Sequence, residues 1–120
     1  MKSSHKLAFT KKERIQQSSN LMSKNKDTIP IICEKDSNCK LKKLIKTKYL
    51  IKRETILANF SKIIREKLEI ESYNALFFLA NCNNEKHPLD LNKTFGEIYD
   101  KYKDEDGFLY LIYSNEEVWG

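Results

Sequence analysis

The spacing of apolar residues changes along this chain, and each spacing predicts a type of element. Residues 55–68 carry apolar side chains at intervals of three and four, the pattern of a helix with one apolar face. The members of that face are Ile56, Leu57, Phe60, Ile63, Ile64 and Leu68. Thr55 stands before them and is a suitable N-cap residue. The pattern therefore predicts one long helix that packs on a single surface.

Short segments rich in β-branched and aromatic residues predict strands. They cover residues 28–35, 46–52, 75–80 and 108–113. The second segment alternates, with Tyr49 and Ile51 on one side and Leu50 on the other. The third is apolar throughout, which is typical of a central strand.

Two weaker helical patterns stand at either end of the chain. Ile15, Leu21 and Met22 form a sparse apolar stripe within residues 11–24 and predict a marginal helix that needs the rest of the domain to hold it. Near the C-terminus, Thr94 and Glu97 have the spacing of a capping box and predict a short helix that runs to Tyr102. The segments 81–93 and 104–107 are polar and predict a loop and a turn.

The order of these elements matches a β-grasp fold. A helical segment is followed by strand, strand, long helix, strand, short helix and strand, so we predict an α+β domain with a four-stranded mixed sheet on one long helix. Residues 1–27 are predicted to form an N-terminal helical extension, and residues 28–120 the β-grasp domain with a C-terminal tail.

The charge of the chain is unevenly distributed. Residues 1–67 have a net charge of +12 and residues 68–120 a net charge of −7, within a total of +5. A basic surface attracts nucleic acid, anionic lipid or acidic peptides, although a solvated lysine-rich surface is the alternative. Nucleic acid is the weakest of these partners, because only three of the 22 basic residues are Arg and no aromatic residues are interleaved with them.

The sequence contains no pattern of a catalytic or metal site. Its three glycines leave no phosphate-binding or dinucleotide-binding loop and no nucleophile elbow. Cys33, Cys39 and Cys82 lack zinc-site spacing, so we interpret them as reduced thiols, with Cys33 in the core. No apolar run approaches the roughly 20 residues of a membrane span. We therefore expect a cytosolic protein that is not an enzyme and holds no metal or cofactor.

Two features remain as candidates for function. The strand at 46–52 is fringed by Lys46, Lys48, Lys52 and Arg53, and as an edge strand it could accept a guest strand from an acidic peptide. The alternative is that these residues only protect the edge from self-pairing. The chain also ends on Gly120, and a terminal glycine carboxylate fits a narrow activating site. The alternative there is an arbitrary end.

Several segments together resemble one known family. They are residues 29–35, 46–51, 60–68, 75–81 and 103–120, the last beginning Lys-Asp-Glu-Asp-Gly-Phe-Leu-Tyr and ending in an aromatic residue and glycine. On these motifs the chain resembles the autophagy-related protein 8 family, which includes GABARAP and the microtubule-associated light-chain proteins. The resemblance covers about residues 9–120 and implies a ubiquitin-like β-grasp.

The resemblance implies a role as a protein modifier. Family members are joined through their terminal glycine, here Gly120, to phosphatidylethanolamine by ubiquitin-like activating and conjugating enzymes. A cysteine protease trims the family's precursors, and whether that step applies to this chain stays open. The implied protein is a monomer in the cytoplasm when unconjugated, and it lies on autophagosome and related vesicle membranes when lipidated.

The resemblance also implies a site for receptor motifs with an aromatic and an aliphatic anchor. The positions that match the pocket for the aromatic anchor are Leu21, Pro30, Ile32, Lys48, Leu50 and Phe108. Those that match the pocket for the aliphatic anchor are Tyr49, Ile51, Phe60, Ile63 and Ile64. Lys46, Lys48 and Lys67 match positions that meet the acidic groups of the motif.

The chain departs from the family pattern at several positions. Lys52 stands where a proline is usual, Gln17 where an acidic residue faces the aromatic pocket, and Thr28 where an arginine precedes the first strand. The segment 81–94 is longer than in GABARAP-type proteins. Receptor preference therefore stays open. So do two other possibilities: a non-conjugated β-grasp adaptor that only binds peptides, and a divergent paralogue with a specialised membrane target.

Overall fold

A computed structural model describes residues 2–116 as one sheet with helices packed on both of its faces. The helices and strands are α1 (Ser4–Ala8), α2 (Lys11–Lys24), β1 (Thr28–Lys35), β2 (Lys48–Lys52), α3 (Leu57–Leu68), β3 (Phe77–Cys82), β4 (Glu85–Pro88), α4 (Phe95–Tyr102) and β5 (Leu109–Ser114). The order and the mixed sheet confirm the β-grasp prediction.

The sheet has one more strand than the sequence analysis predicts. Its order is β2-β1-β5-β3-β4, with β1 and β5 parallel in the middle and the other neighbours antiparallel. The extra strand, β4, lies in the segment predicted to be a loop. It pairs with β3 across a tight turn at Asn83 and Asn84, which both have positive φ. Asparagine tolerates that conformation, so the Asn-Asn pair was the available signal for the hairpin.

The face of the sheet covered by α3 and α4 holds the main core. Side chains from β1 and β5 that point to this face meet the apolar side of α3, and Phe60 contributes the largest buried ring of that helix. Phe60 makes edge-to-face contacts with Tyr49 and with Phe95, at 5.3 and 5.4 Å between ring centroids. The predicted single apolar face of α3 is therefore confirmed.

The opposite face is covered by α1 and α2, and its apolar cluster is small. Ile32, Phe108 and Tyr110 are buried there, with Leu21 of α2 packed against them. Ile15, which the sequence analysis placed on the apolar stripe, is 42 % exposed, and the buried residue of α2 is Ser18. The helix has the bounds predicted for it, but the prediction that Ile15 packs inward is wrong.

Polar contacts to one turn hold α1 and α2 in place. Lys6, Lys11 and Arg14 pair with Asp104, Glu105 and Asp106 respectively. Asp106 is buried, and its carboxylate accepts hydrogen bonds from Arg14 Nε at 2.8 Å and from the Tyr110 hydroxyl. Its backbone oxygen accepts one from the Ser18 hydroxyl. These contacts confirm that residues 104–107 form a turn, whose carboxylates bind the chain's own cations.

The charge asymmetry between the two halves is thus partly internal. Within residues 2–116, five of the eight ion pairs join a cation of the basic first half to a carboxylate of the acidic second half. A share of the positive charge that the sequence analysis assigned to an external partner is neutralised within the fold.

Several element boundaries differ from the predicted ones by one or two residues. The N-cap of α3 is Ile56, without a side-chain hydrogen bond, while the Thr55 carbonyl accepts a bond from Phe95 N. β2 begins at Lys48 and β3 at Phe77, two residues later than predicted. The capping box of α4, from Thr94 to Glu97, is present as predicted. The five-residue helix α1 was not predicted, because so short a helix has no periodic pattern to detect.

Candidate peptide-binding edge

β2 lies at one edge of the sheet. Among residues 2–116 its ladder partner is β1 alone, with Leu50 opposite Pro30 and Lys48 opposite Ile32. The outer side of the strand can therefore accept hydrogen bonds from a further strand. β2 therefore meets the condition that the sequence analysis set for accepting a guest strand, an edge position.

Alternation along β2 divides its side chains between the two faces of the sheet. Lys48 and Leu50 share the face of Ile32 and Pro30, on the side of the N-terminal helices, whereas Tyr49 and Ile51 point toward α3. A strand added at this edge would lie between two sets of side chains, one on each face of the sheet. This arrangement fits a motif whose two anchors point to opposite faces.

The surface on the side of the N-terminal helices contains every position predicted for the aromatic pocket. Pro30, Ile32 and Phe108 are buried, Leu21 and Leu50 are half-buried, and Lys48 is exposed. An apolar floor, two partly accessible aliphatic side chains and one cation at the rim can hold an aromatic ring that is followed or preceded by acidic groups. Their part in peptide binding stays a prediction.

His5 of α1 also lies at this surface, where sequence reasoning did not place it. Its ring is 4.8 Å from that of Phe108 and 6.3 Å from that of Tyr110. Burial, and next the Lys48 ammonium, lower the pKa of His5, with Asp106 and Glu34 opposing and Arg14 reinforcing the shift. His5 is therefore neutral near pH 7, and Lys48 is close enough to affect it.

Two polar atoms of the N-terminal helices are buried without a hydrogen-bond partner among residues 2–116. They are His5 Nε2 and Gln17 Oε1. A buried acceptor without a donor is costly, and native structures contain few of them. Gln17 is the residue that the resemblance aligned with a family acid facing the aromatic pocket. No sequence signal singled out His5, because residues 1–10 have no periodic pattern.

The surface toward α3 is formed by fewer residues than the resemblance implies. Ile63 is 46 % exposed and Ile51 half-buried, so both can contact a ligand. Tyr49, Phe60 and Ile64 are at most 7 % exposed and belong to the main core. They support this surface from beneath, and any direct contact between them and a peptide would require the core to open.

Three lysines give the edge its positive charge. Lys46 and Lys67 place their ammonium groups 5.0 and 5.9 Å from the centre of the Tyr49 ring, while Lys48 lies toward the N-terminal helices. All three are exposed. Cations on both sides of β2 can meet acidic residues before, within or after a bound motif.

The predicted conjugation residue, Gly120, lies outside residues 2–116. β5 ends at Ser114, opposite Phe77 of β3, and the chain continues for six residues to Gly120. Among residues 2–116, no helix is long and apolar enough to cross a membrane.

The fold and the position of β2 define a ubiquitin-like protein with an accessible, basic sheet edge. Comparison with known proteins extends this assignment. Residues 13–120 match the family model described as autophagy protein Atg8, ubiquitin-like. The chain belongs to the Atg8 family.

Individual relatives agree along almost the whole chain. It is 32 % identical to autophagy-related protein 8h of Arabidopsis thaliana, over 98 % of this chain and 95 % of the relative. It is 34 % identical to autophagy-related protein 8 of Pichia angusta, over 100 % of this chain and 93 % of the relative. The crystal structure of Trypanosoma brucei ATG8 superimposes with a TM-score of 0.86 at 32 % identity and covers both chains completely. The family and the fold predicted from the sequence motifs are confirmed.

Proposed function

We propose that this Atg8-family protein is conjugated through Gly120 to phosphatidylethanolamine and recruits receptors to autophagic membranes through the edge strand β2. The observation that carries the receptor half is the accessible edge of β2, between an apolar surface on each face and fringed by Lys46, Lys48 and Lys67. The family membership and the C-terminal glycine support the conjugation half.

Conjugation would convert a protein without a membrane-spanning helix in its described part into one with a lipid anchor. Phosphatidylethanolamine carries two acyl chains, which is the number needed for stable attachment. A glycine carboxylate has no side chain to block activation or transfer to an amino group. In this proposal the enzymes that activate and transfer Gly120 are those of the family's ubiquitin-like pathway, and the chain itself performs no catalysis.

Receptor binding would combine strand addition with two anchors. The peptide backbone pairs with the free side of β2 and supplies affinity that does not depend on sequence. An aromatic anchor packs against the accessible parts of Leu21 and Leu50, above the buried Pro30, Ile32 and Phe108. An aliphatic anchor lies near Ile51 and Ile63. The three lysines select acidic flanking residues by long-range attraction and oppose basic ones.

The conjugation half is tested by expressing the chain in cells and measuring the intact mass of the membrane fraction. The expected result is an adduct of phosphatidylethanolamine on Gly120, absent from a Gly120→Ala variant. Absence of the adduct from the membrane-bound parent, or an equal adduct in Gly120→Ala, would contradict conjugation at this residue. Its absence from the parent would favour the non-conjugated adaptor, which uses only the peptide site.

The receptor half is tested with a synthetic acidic peptide that carries a tryptophan and a leucine three residues apart. Lys48→Glu and Leu50→Ala are each expected to weaken binding about tenfold or more, the equivalent of about 1.4 kcal/mol. Lys103→Glu is a matched charge control, because Lys103 is exposed and lies at the end of α4. Equal affinity of the parent, Lys48→Glu and Leu50→Ala would show that the peptide binds elsewhere.

A further inference from the structure

The two most exposed large apolar side chains of residues 2–116 lie in two loops. Ile45 is fully exposed and Tyr73 is 83 % exposed, while the next in order, Leu7, is 69 % exposed. Ile45 belongs to the loop that joins β1 to β2, and Tyr73 to the loop that joins α3 to β3. Neither residue has a part in the peptide-binding edge described above.

The topology brings these two loops to the same end of the domain. The first loop starts where β1 ends, at Lys35, which is opposite Tyr113 of β5. The second ends where β3 begins, at Phe77, which is opposite Ser114 of β5. Both loops therefore border the point at which the chain leaves the sheet toward Gly120.

Hydrogen bonds fix the first loop to the last residues of β5. The Tyr113 hydroxyl accepts a bond from Leu44 N at 3.0 Å and donates one to the Lys42 carbonyl oxygen at 2.6 Å. Leu44 is buried, and Leu41 packs on the main core. Lys42 Nζ also lies 3.1 Å from Glu69 Oε2 and so links the two loops. The loop is anchored from within, and Ile45 points outward from a supported backbone.

The outer side of the first loop is strongly basic. Residues 40–46 contain Lys40, Lys42, Lys43 and Lys46 and no acidic residue. Lys40 and Lys43 have no ion pair within residues 2–116, and the pair made by Lys42 is exposed on both sides. An exposed aliphatic side chain amid lysines is the composition of segments that lie in the interface of an anionic membrane.

We propose that the loop 40–46, with Tyr73 beside it, is a second membrane contact that binds anionic lipid headgroups and places Ile45 in the bilayer interface. The lysines would supply attraction to the lipid charge, and Ile45 the apolar insertion. Tyr73 would lie at headgroup level, where tyrosine is enriched. An acidic protein with an apolar patch is the alternative partner, and binding to vesicles that contain lipid alone distinguishes the two.

The position of the tail supports this choice of partner. Gly120 is the sixth residue after Ser114, and a segment of six residues spans at most about 20 Å. The domain is 39 Å along its longest axis. A lipid on Gly120 would therefore hold this end of the domain near the membrane. The orientation rests on the proposed conjugation, whereas binding to anionic lipid by the unmodified chain does not.

The test uses the unmodified chain and vesicles of phosphatidylcholine, with and without about 30 % phosphatidylserine, in co-sedimentation at low and physiological salt. The expected result is binding only to the anionic vesicles, weakened by salt and reduced about tenfold or more in the Lys42→Glu/Lys43→Glu variant. The control is Lys24→Glu/Lys26→Glu, which changes the net charge by the same amount. These two lysines lie beside the start of β1, at the opposite end of the sheet. That control is expected to bind like the parent.

Three outcomes of this assay would overturn the proposal. The first is equal binding of the parent to neutral and anionic vesicles, and the second is no binding to either. The third is an equal loss in the two double variants, which would indicate attraction by total charge rather than by this loop. A Gly120→Ala chain is expected to bind anionic vesicles normally, so failure of conjugation and failure of this contact are distinguishable.

Insertion of Ile45 is measured separately by tryptophan fluorescence. An Ile45→Trp variant is expected to show a blue shift on anionic vesicles beyond that of the parent, which has Trp119 as the common background. Leu91→Trp is the control, since Leu91 is 39 % exposed and lies beside the start of α3, away from the tail. A similar shift in both variants, or none in Ile45→Trp, would contradict insertion of this residue.

Discussion

The two faces of the sheet are covered by helices in different ways. The face toward α3 is closed by a large apolar core around Phe60, whereas the face toward α1 and α2 has a cluster of three buried residues and a set of ion pairs. Apolar packing is non-directional and resists local opening, while charged contacts depend on geometry, pH and salt. The first face determines whether the domain folds, and the second is suited to adjust when a ligand binds.

The difference has a functional consequence. The pocket predicted for the aromatic anchor lies on the ion-paired face, next to His5 of the short helix α1. A helix of five residues has little stability of its own, and among residues 2–116 it is held by Lys6, by the contacts of Ser3 and Ser4 with Glu34, and by the ring contacts of His5. We expect α1 to open at a lower free energy than any strand of the sheet.

The largest effect on stability is expected from Phe60→Ala on the α3 face. Removal of this 1 % exposed ring leaves a cavity under Tyr49 and Phe95, at a cost of about 4 kcal/mol in the free energy of unfolding. Urea denaturation measures it. Ile63→Ala on the same helix is the control, because its side chain is 46 % exposed and its loss is expected to be several times smaller. Similar losses in the two variants would mean that the core is not centred on Phe60.

The next effect is expected from Asp106→Asn on the opposite face. This change removes the carboxylate charge that accepts hydrogen bonds from Arg14 and Tyr110. We expect a loss of about 3 kcal/mol in the free energy of unfolding. This value is near the lower limit for one partner of a buried ion pair, because Arg14 is partly exposed. Hydrogen exchange is expected to become faster in α2 than in β1. Glu105→Gln is the control, since its exposed pair with Lys11 is expected to contribute nothing measurable. Equal acceleration of hydrogen exchange in α2 and β1 would mean that the helices on the ion-paired face do not open independently of the sheet.

The smallest effect is expected from pH through His5. The folded state lowers the pKa of His5, so the unfolded chain binds more protons just below its pKa of about 6.5. Stability should therefore fall as the pH decreases through that value, before the carboxylates with lowered pKa, such as Asp104 and Glu97, begin to titrate. The measurement is the urea midpoint at pH 7.5 and at about 5.5.

A substitution of His5 tests this assignment. His5→Gln is expected to lose less stability than the parent over the same interval. If His5→Gln kept the full pH dependence, burial of His5 on the ion-paired face would not be its source.

The sequence predicted some elements closely because their signals are local. β1 and α2 have the predicted bounds, and the capping box of Thr94 and Glu97 marks the start of α4. β4 was missed because it is polar and contains Pro88, so its pairing with β3 depends on the turn before it rather than on its own pattern. Ile15 was misplaced because a hydrophobic stripe carries no information about a buried hydrogen bond, here the one made by Ser18.

For the candidate site, the sequence identified the residues, and the fold determined which of them are accessible on each face of the sheet. The motifs identified the Atg8 family and the edge strand, and alternation placed Leu50 and Tyr49 on opposite faces. Local pattern could not show that Tyr49, Phe60 and Ile64 lie in the core beneath the pocket while Ile51 and Ile63 remain accessible, since exposure depends on elements distant in the chain.

The sequence by itself determined the family, the order of most elements and the glycine proposed for conjugation, because these depend on motifs and local periodicity. Only the tertiary structure decided which charged residues form ion pairs. It brought Lys6, Lys11 and Arg14 to the turn at residues 104–106, across about ninety positions of the chain, and so neutralised part of the basic half. It also left Lys40 and Lys43 without an ion pair within residues 2–116, in the loop that carries Ile45 beside the exit of the tail. Charge pairing over such distances is decided by the topology of the sheet, which no local pattern encodes.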